Sequence, residues 1–290
     1  MRDQALRLRQ LVAGYVPAPE SVPSNTEQGR AQIIAVTSGK GGVGKTTLAV
    51  NLALILAESA KVLVIDADLG LANVDVMLGM EPGRHIGHLL LPGCSPEDVA
   101  MTGPGGIKVI SGGSGLRELA DANHEERAIL LEKLRAYCGN FDYVLVDTSP
   151  GISSDVLDFL RESDRILLVT TSEPTSLRDS YAAIKAISCE MPGKEIVPVV
   201  NSSTAVQAEQ AMQALNQVTQ RFLECRYNHW HNVDPDSLVG RTIHDRKPLV
   251  RTYPKSPAAI CLRKIAKEMF CNLVSSNSTS KNWEDANALA

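Results

Sequence analysis

The chain has 290 residues, of which 44% are hydrophobic, 21% charged and 4% aromatic, and its formal net charge is −4. This much aliphatic material supports a sizeable core and excludes disorder or a collagen-like structure over most of the length. The small net charge excludes a polycation that coats nucleic acid. No apolar run approaches the length of a membrane span, and the arginine-containing N-terminus has no apolar signal region, so we expect a cytoplasmic protein.

The cysteines and histidines indicate no metal centre. The six cysteines are scattered and form no CxxC pair. A disulfide framework, a zinc site and an iron–sulfur site are therefore disfavoured, and reduced thiols of a cytosolic protein are expected. The six histidines form no constellation with carboxylates, and we expect them in loops or at the surface.

Four segments follow one another along the chain. Residues 1–13 predict a short helix with apolar residues on one face and arginines among them. Residues 14–30 contain three prolines and many small polar residues, which is typical of a flexible linker. Residues 31–274 predict one domain, and residues 275–290 form a tail too polar to pack.

The domain alternates short aliphatic runs with helical stretches. The runs are continuous rather than alternating, as expected for strands buried on both faces. Alternation of such strands with helices predicts an α/β fold with a doubly wound, mostly parallel sheet. The predicted strands are 32–36, 62–66, 107–111, 143–147, 165–171 and 195–200, and the predicted helices are 46–58, 125–138, 153–161, 176–189 and 205–223.

A glycine-rich segment directly follows the first predicted strand and opens the first predicted helix. It matches the pattern GxxxxGK[ST], whose backbone N–H groups and helix N-terminus bind phosphate oxygens. In this pattern Lys45 reaches the β- and γ-phosphates and the Thr46 hydroxyl binds Mg²⁺. We therefore predict a nucleotide site that contains Gly39, Lys40, Gly41, Gly42, Val43, Gly44, Lys45, Thr46 and Thr47.

Lys40 is a second lysine in this loop, at a position where the general pattern requires none. The segment KGGVGKT at 40–46 resembles the deviant phosphate loop of the MinD/ParA family of dimeric ATPases. The resemblance implies a P-loop NTPase of the MinD/ParA (SIMIBI) type that binds ATP with Mg²⁺, and the absence of a guanine-specific NKxD motif agrees with ATP. It also implies an ATP-bound homodimer in which Lys40 reaches the partner's nucleotide.

Polar residues end three of the predicted strands, where ligands bind in open α/β folds. By resemblance, Asp68 orients or activates the attacking water, Asp66 supports the magnesium shell, and Asp147 lies near Mg²⁺ in the Walker B position. Catalysis then falls to Lys40 and Lys45 together with Asp68. Relatives use an asparagine placed like Asn201 to bind adenine. The bland alternatives are capping aspartates in a loop and a turn-forming asparagine.

Four further segments are similar to the FlhG/FleN (YlxH-like) branch of flagellar-number regulators. Three lie in the domain, at 66–79, 111–119 and 172–185. The fourth, at 3–9, fits the DQAxxLR motif with which this branch stimulates an FlhF-type GTPase. The resemblance implies a slowly hydrolysing switch for flagellar number and placement that acts on this GTPase and on a flagellar transcription activator. Its partner-activating residues are Asp3, Gln4, Ala5, Leu8 and Arg9.

Residues 241–267 contain eight Lys or Arg and one Asp, a net charge of +7 against −11 for the remainder. Such asymmetry suggests a surface for an acidic protein, an anionic lipid or DNA, although a solvated helical face explains it equally well. The alternative functions are a ParA-like partitioning ATPase that binds DNA nonspecifically and another MinD-like positioning ATPase. The acidic remainder and the N-terminal motif disfavour DNA.

Two other functions are weighed against these. An iron–sulfur carrier on the same fold needs paired cysteines, which the chain lacks, and a metabolic ATP-dependent enzyme needs a substrate constellation that does not stand out. The last apolar stripe fits a helix that covers the core or, alternatively, a peripheral contact with the inner face of the membrane. That stripe consists of Leu262, Ile265, Ala266, Met269, Phe270 and Leu273.

Overall fold

The computed structural model describes residues 30–68, 70, 72–113 and 124–270. Within these residues, eight strands form one sheet in the order β3-β4-β2-β5-β1-β6-β7-β8, and every pair is parallel except β3 with β4. The strands are β1 Gln32–Thr37, β2 Val62–Ala67, β3 Met101–Thr102, β4 Lys108–Ile110, β5 Tyr143–Thr148, β6 Arg165–Thr170, β7 Glu195–Val200 and β8 His231–Asn232.

Helices connect the strands and cover the sheet. The described α-helices are α1 Lys45–Leu56, α2 Val74–Leu78, α3 Pro96–Val99, α4 His124–Cys138, α5 Ser154–Glu162, α6 Pro174–Glu190, α7 Ala205–Leu223, α8 Leu238–His244, α9 Leu249–Thr252 and α10 Pro257–Phe270. Short 3₁₀ turns occupy Ile86–Leu90 and Pro104–Gly106. None of the helices in the described ranges is long and apolar enough to cross a bilayer.

The central strands are apolar on both faces because helices pack on both. One cluster of buried side chains joins α1 and α10 to the sheet, and two others place α4 and the pair α6 and α7 against it. Helix α10 buries the described part of the stripe at 262–270, so its apolar face covers the core, as the first of the two sequence alternatives predicts. The fold is the predicted doubly wound α/β sheet.

The register of the central strands β2, β5 and β1 positions the site. In β2 and β5, Asp66 lies directly opposite Asp147. On its other side, Asp147 lies opposite Val36 in β1, just before the glycine-rich loop. Because the strands are parallel and in register, their carboxyl ends place the two carboxylates and the loop at one edge of the sheet.

The predicted strands and helices correspond to observed ones within two residues at each end. Missed by the sequence analysis are β3, β8 and the short helices α2, α3, α8 and α9, which are too short to show a period. The helix at 1–13, the linker up to residue 29 and the tail at 275–290 lie outside the described residues. Their boundaries therefore stay predictions.

His231 departs from the expectation that the histidines lie in loops or at the surface. It occupies β8 and is 6% exposed, and its Nδ1 lies 3.3 Å from Oε2 of Glu268. Its Nε2 is buried and has no hydrogen-bond partner among the described residues. Burial lowers the pKa of His231 to about 4; His229, Lys264 and Arg165 add to this effect, and Glu268 opposes it.

This buried imidazole makes stability depend on pH. The unfolded chain takes up the proton near pH 6.5 and the folded chain only near 4, so the contribution of His231 is present above 6.5 and lost as pH falls towards 4. The wild-type advantage over His231→Gln in free energy of unfolding should therefore shrink between about pH 7.5 and about pH 4.5 in urea titrations. The control is exposed His244→Gln; a constant difference for His231→Gln would contradict the expectation.

Candidate nucleotide-binding site

The glycine-rich loop runs from the end of β1 to the start of α1. Gly42 and Gly44 have φ values of 79° and 93°, in the left-handed region that favours glycine. Gly39 has a different role, because a Cβ there would overlap the backbone carbonyl of Asp179 in α6. The loop is thus held close to α6, with its curvature set by residues that lack side chains.

Asn201 lies directly beside this loop. Its Nδ2 donates to the carbonyl oxygen of Val43 at 2.8 Å, and a Cβ on Gly44 would overlap the same amide. The side chain follows the end of β7, and the Asn201 carbonyl accepts a hydrogen bond from the Ser203 hydroxyl at 3.0 Å. The structure therefore brings the residue predicted to bind adenine to the phosphate loop, while its contact with a base stays a prediction.

Lys45, Thr46 and Asp147 lie together at the inner side of the site. Lys45 is 7% exposed and Asp147 1% exposed. The pKa of Asp147 is raised to about 7, mainly by burial and then by repulsion from Asp66, whereas a hydrogen bond from Thr46 and the charge of Lys45 act against the rise. The loop lysine and hydroxyl thus both interact with the Walker B carboxylate.

The Oδ1 atom of Asp147 is buried and has no hydrogen-bond partner among the described residues. A buried carboxylate oxygen without a donor is unfavourable unless a cation or an ordered water compensates it. Oxygen ligands such as this carboxylate and the Thr46 hydroxyl suit Mg²⁺. The donor set present therefore fits the predicted metal, held by Thr46 with Asp147 nearby.

Asp66 is fully buried but well provided with donors. Its Oδ2 accepts the backbone N–H groups of Asn73 at 2.9 Å and Val74 at 3.0 Å, and its Oδ1 accepts that of Asp68 at 3.1 Å. Burial raises the pKa of Asp66 to about 6 despite these three bonds, and the charge of Asp68 adds to the rise. Asp66 therefore caps α2 and shapes the loop that carries Asp68. This structural role was not predicted from the sequence, and its support of the magnesium shell stays a prediction.

Asp68 is only partly buried and faces the segment after β5. The Ser149 hydroxyl donates to its Oδ1 at 2.9 Å. Two residues later, the N–H of Gly151 donates to the carbonyl of Ser38, at the base of the phosphate loop, at 2.8 Å. The loop that follows β2, the loop that follows β5 and the phosphate loop are thus joined by direct hydrogen bonds.

Lys40 has surroundings unlike those of Lys45. Its side chain is 40% exposed, and its Nζ lies 3.1 Å from Oε2 of Glu173 and 3.3 Å from Oγ1 of Thr175. Both partners belong to the start of α6. One lysine of the loop is therefore buried within the site, and the other lies at its rim.

The structure brings together every site residue predicted in the domain: the loop, Asp66, Asp68, Asp147 and Asn201. The sequence analysis missed the partners Ser149 and Glu173. Glu173 lies in the segment 172–185, which is similar to the family, but no spacing rule marks a hydroxyl or a carboxylate at either position. The candidate activating residues Asp3, Gln4, Ala5, Leu8 and Arg9 lie outside the described residues.

Comparisons with known proteins agree with this geometry. A ParA family model described as "NUBPL iron-transfer P-loop NTPase" matches residues 29–270. The antiactivator FleN of Pseudomonas aeruginosa is 35% identical over 82% of this chain and 86% of its own. The flagellum site-determining protein YlxH of Helicobacter pylori is 31% identical over 92% of this chain and 90% of its own.

Solved structures agree as well. The MinC:MinD cell division complex of Aquifex aeolicus matches with a TM-score of 0.68 and 26% identity, over 87% of this chain and 99% of that one. MinD of Pyrococcus horikoshii, solved with Mg-ADP, matches with a TM-score of 0.72 over 86% of this chain and all of that one; at 22% identity this likeness concerns the fold.

A parallel sheet with a glycine-rich loop, a buried loop lysine and a Walker B carboxylate at its carboxyl edge defines a P-loop ATPase. The chain belongs to the MinD/ParA family of these ATPases and is of the FlhG/FleN type.

The burial of the Asp147 carboxylate leads to a prediction for the nucleotide-free, Mg²⁺-free protein. Its folded-state pKa is raised from 3.8 to about 7, so its stability contribution is present below 3.8 and lost as pH rises through 7. Asp147→Asn removes the buried charge. We expect it to unfold at higher urea concentration than wild type at about pH 8, and this difference should shrink as pH falls through about 5 towards about 4.

The matched control is Glu81→Gln, which removes one negative charge from an exposed position. It should shift the urea midpoint little at either pH, because surface charges contribute little. If Asp147→Asn did not stabilise the nucleotide-free protein at pH 8, the burial cost assigned to this carboxylate would be wrong.

Proposed function

We propose that the chain is an ATP-dependent dimeric switch that regulates flagellar number and placement. The observation that carries this proposal is the division between the two lysines of the loop. Lys45 is 7% exposed at the inner side of its own site, whereas the Lys40 side chain is 40% exposed at the rim. A rim lysine is able to contact a nucleotide held by a second subunit, and FleN and YlxH, the similar proteins, are named for flagellar roles.

The residues divide the work as follows. Backbone N–H groups of the loop and Lys45 bind the phosphates of ATP, and Lys40 of each subunit reaches the nucleotide of the other. Thr46, with Asp147 nearby, would hold Mg²⁺, which would supply positive charge to the phosphates. Asp68 orients the attacking water, and Ser149 holds Asp68 through the bond to its Oδ1. Hydrolysis is slow, and the loss of the γ-phosphate releases the dimer.

The proposed partners follow from the same family. The ATP-bound dimer restrains an FlhF-type GTPase and a flagellar transcription activator, and residues 1–13 stimulate GTP hydrolysis by the first of these. In this segment, Gln4 is suited to orient a water, and the arginines are suited to stabilise charge on the transferred phosphate. A peripheral membrane contact stays a prediction, and the described part of the stripe at 262–270 does not support it, because those side chains are buried against the core.

The ParA-like alternative relies on the basic residues at 241–267 as a grip on DNA. Several of these cations are already paired within the chain: Arg263 bonds both oxygens of Glu58 at 2.9 and 3.0 Å, Lys264 lies 3.8 Å from Glu268, and Arg241 lies 3.7 Å from Asp245. Paired cations release fewer counterions on binding a polyanion. The structure therefore offers this alternative less support than the charge count alone.

Two substitutions separate binding from hydrolysis. Lys45→Ala removes the buried cation that contacts the phosphates, so ATP binding should fall by at least about tenfold. Asp68→Ala leaves the loop intact and removes the group that orients water, so ATP should still bind and hydrolysis should fall by about a hundredfold or more. Titration of a fluorescent ATP analogue and phosphate release measure the two effects.

The oligomeric state then tests the switch itself. By light scattering in saturating MgATP, Asp68→Ala should be a stable dimer and Lys45→Ala a monomer. Exposed Lys61→Ala is the control and should behave as wild type. An Asp68→Ala protein that remains monomeric in MgATP would refute the proposed cycle.

The N-terminal segment is tested with an FlhF-type GTPase. The full chain should raise its GTP hydrolysis rate, and a chain that begins at residue 31 should not, although it retains its own ATPase activity. Gln4→Ala in the full chain should lose most of the stimulation, since the proposed role requires that amide. Equal stimulation by the full and shortened chains would remove the reason for assigning this partner.

A further inference from the structure

Residues 111–113, which follow β4, pack tightly against the segment that starts at Asp66 and carries Asp68. We call this segment the aspartate loop. An ideal Cβ on Gly112 would lie 2.8 Å from the carbonyl oxygen of Asp66 and 3.1 Å from that of Asp68. It would also lie 3.3 Å from the Cβ of Ala72. Because the first of these distances is shorter than real Cβ contacts, a side chain at this position forces the backbone of residues 66–68 to move.

Ser111 fastens the same segment to the other end of the aspartate loop. Its hydroxyl donates to Oδ2 of Asp75 at 2.8 Å, and both residues are buried, at 2% and 8% exposure. The N–H of Gly113 donates to the same hydroxyl at 3.3 Å, and the carbonyl of Ser111 accepts the N–H of Ile86 at 2.8 Å. Ser111 is therefore held from two sides and in turn holds the first turn of α2.

The aspartate loop is thus bracketed. From inside, the Asp66 carboxylate binds the N–H groups of Asp68, Asn73 and Val74. From outside, Gly112 contacts the main chain of Asp66 and Asp68. Three hydrogen bonds alone leave the loop free to shift as a unit with the Asp66 side chain, whereas a rigid backbone packed against its carbonyls does not.

We propose that Ser111 and Gly112 are positioning residues for ATP hydrolysis, which hold the main chain of residues 66–68 and 72–75 so that Asp68 is aligned with the attacking water. The inference rests on the role proposed above for Asp68. Neither residue contacts the nucleotide; they act through the loop. The requirement at 112 is for the absence of a side chain, and the requirement at 111 is for one buried hydroxyl.

The first test is Gly112→Ala in the full-length protein. The displaced carbonyls move Asp68 away from the water, so kcat for ATP hydrolysis should fall on the order of ten- to a hundredfold. The dissociation constant for MgATP should stay within about twofold, because the phosphate loop is untouched. Gly83→Ala is the matched control: the same methyl group is added where nothing lies within 4 Å, and kcat should not change.

A second readout separates positioning from general destabilisation. Amide hydrogen exchange at Asn73 and Val74 reports the two bonds to Asp66, and Gly112→Ala should raise it selectively, while exchange in the distant strands β6 and β7 stays as in wild type. A uniform rise over the whole sheet, with kcat falling only in proportion to the folded fraction, would show a structural role alone and overturn the proposal.

Ser111→Ala decides the matter if Gly112→Ala does not fold. Loss of the bond to Asp75 should lower kcat several-fold with unchanged MgATP affinity and should raise exchange in the first turn of α2. Unchanged kcat and exchange would overturn the proposal. Asp68→Asn, measured beside it, distinguishes the two failures: if Asp68→Asn hydrolyses ATP at the wild-type rate, the role of Asp68 is wrong; if only the Ser111 and Gly112 variants do, the positioning role is wrong.

Discussion

Two carboxylates that lie opposite each other on neighbouring parallel strands organise this site. Asp66 and Asp147 are paired in register between β2 and β5, and both are almost completely buried. Burial raises both pKa values, to about 6 for Asp66 and about 7 for Asp147; the charge of Asp68 contributes to the first rise and that of Asp66 to the second. The backbone N–H groups around Asp66, and Thr46 and Lys45 beside Asp147, offset part of the cost of burying these two carboxylates.

The two carboxylates are compensated in different ways, and this separates their roles. Asp66 accepts backbone N–H groups and so becomes part of the architecture of the following loop. Asp147 accepts a hydrogen bond from Thr46 and lies near the positive charge of Lys45, but its Oδ1 has no hydrogen-bond partner among the described residues. A buried carboxylate oxygen that lacks a donor from the protein is suited to a site that binds a magnesium–nucleotide complex.

Much of the fold and the site could be predicted from the sequence because their signals are local. The aliphatic runs, the helices and the loop at 39–46 are contiguous patterns, and the strand order places their ends together. The buried position of His231 was not predicted, because a two-residue strand has no period and its partner Glu268 belongs to α10, further along the chain. The partners Ser149 and Glu173 were missed, since hydroxyls and carboxylates in loops are common and only folding shows which of them reach a site.

The sequence by itself determined the class of protein: the spacing of glycines and lysines is a covalent property, and it sets how a strand turns into a phosphate-binding helix. Only the tertiary structure decided what each polar residue does there. It showed Asp66 accepting the N–H groups at the start of α2, Asp147 with a buried Oδ1 that has no hydrogen-bond partner among the described residues, and Lys40 partly exposed beside α6, because burial and hydrogen bonding depend on neighbours that are distant in sequence. The close approach of Gly112 to residues 66–68 is of the same kind: it exists only between two packed loops.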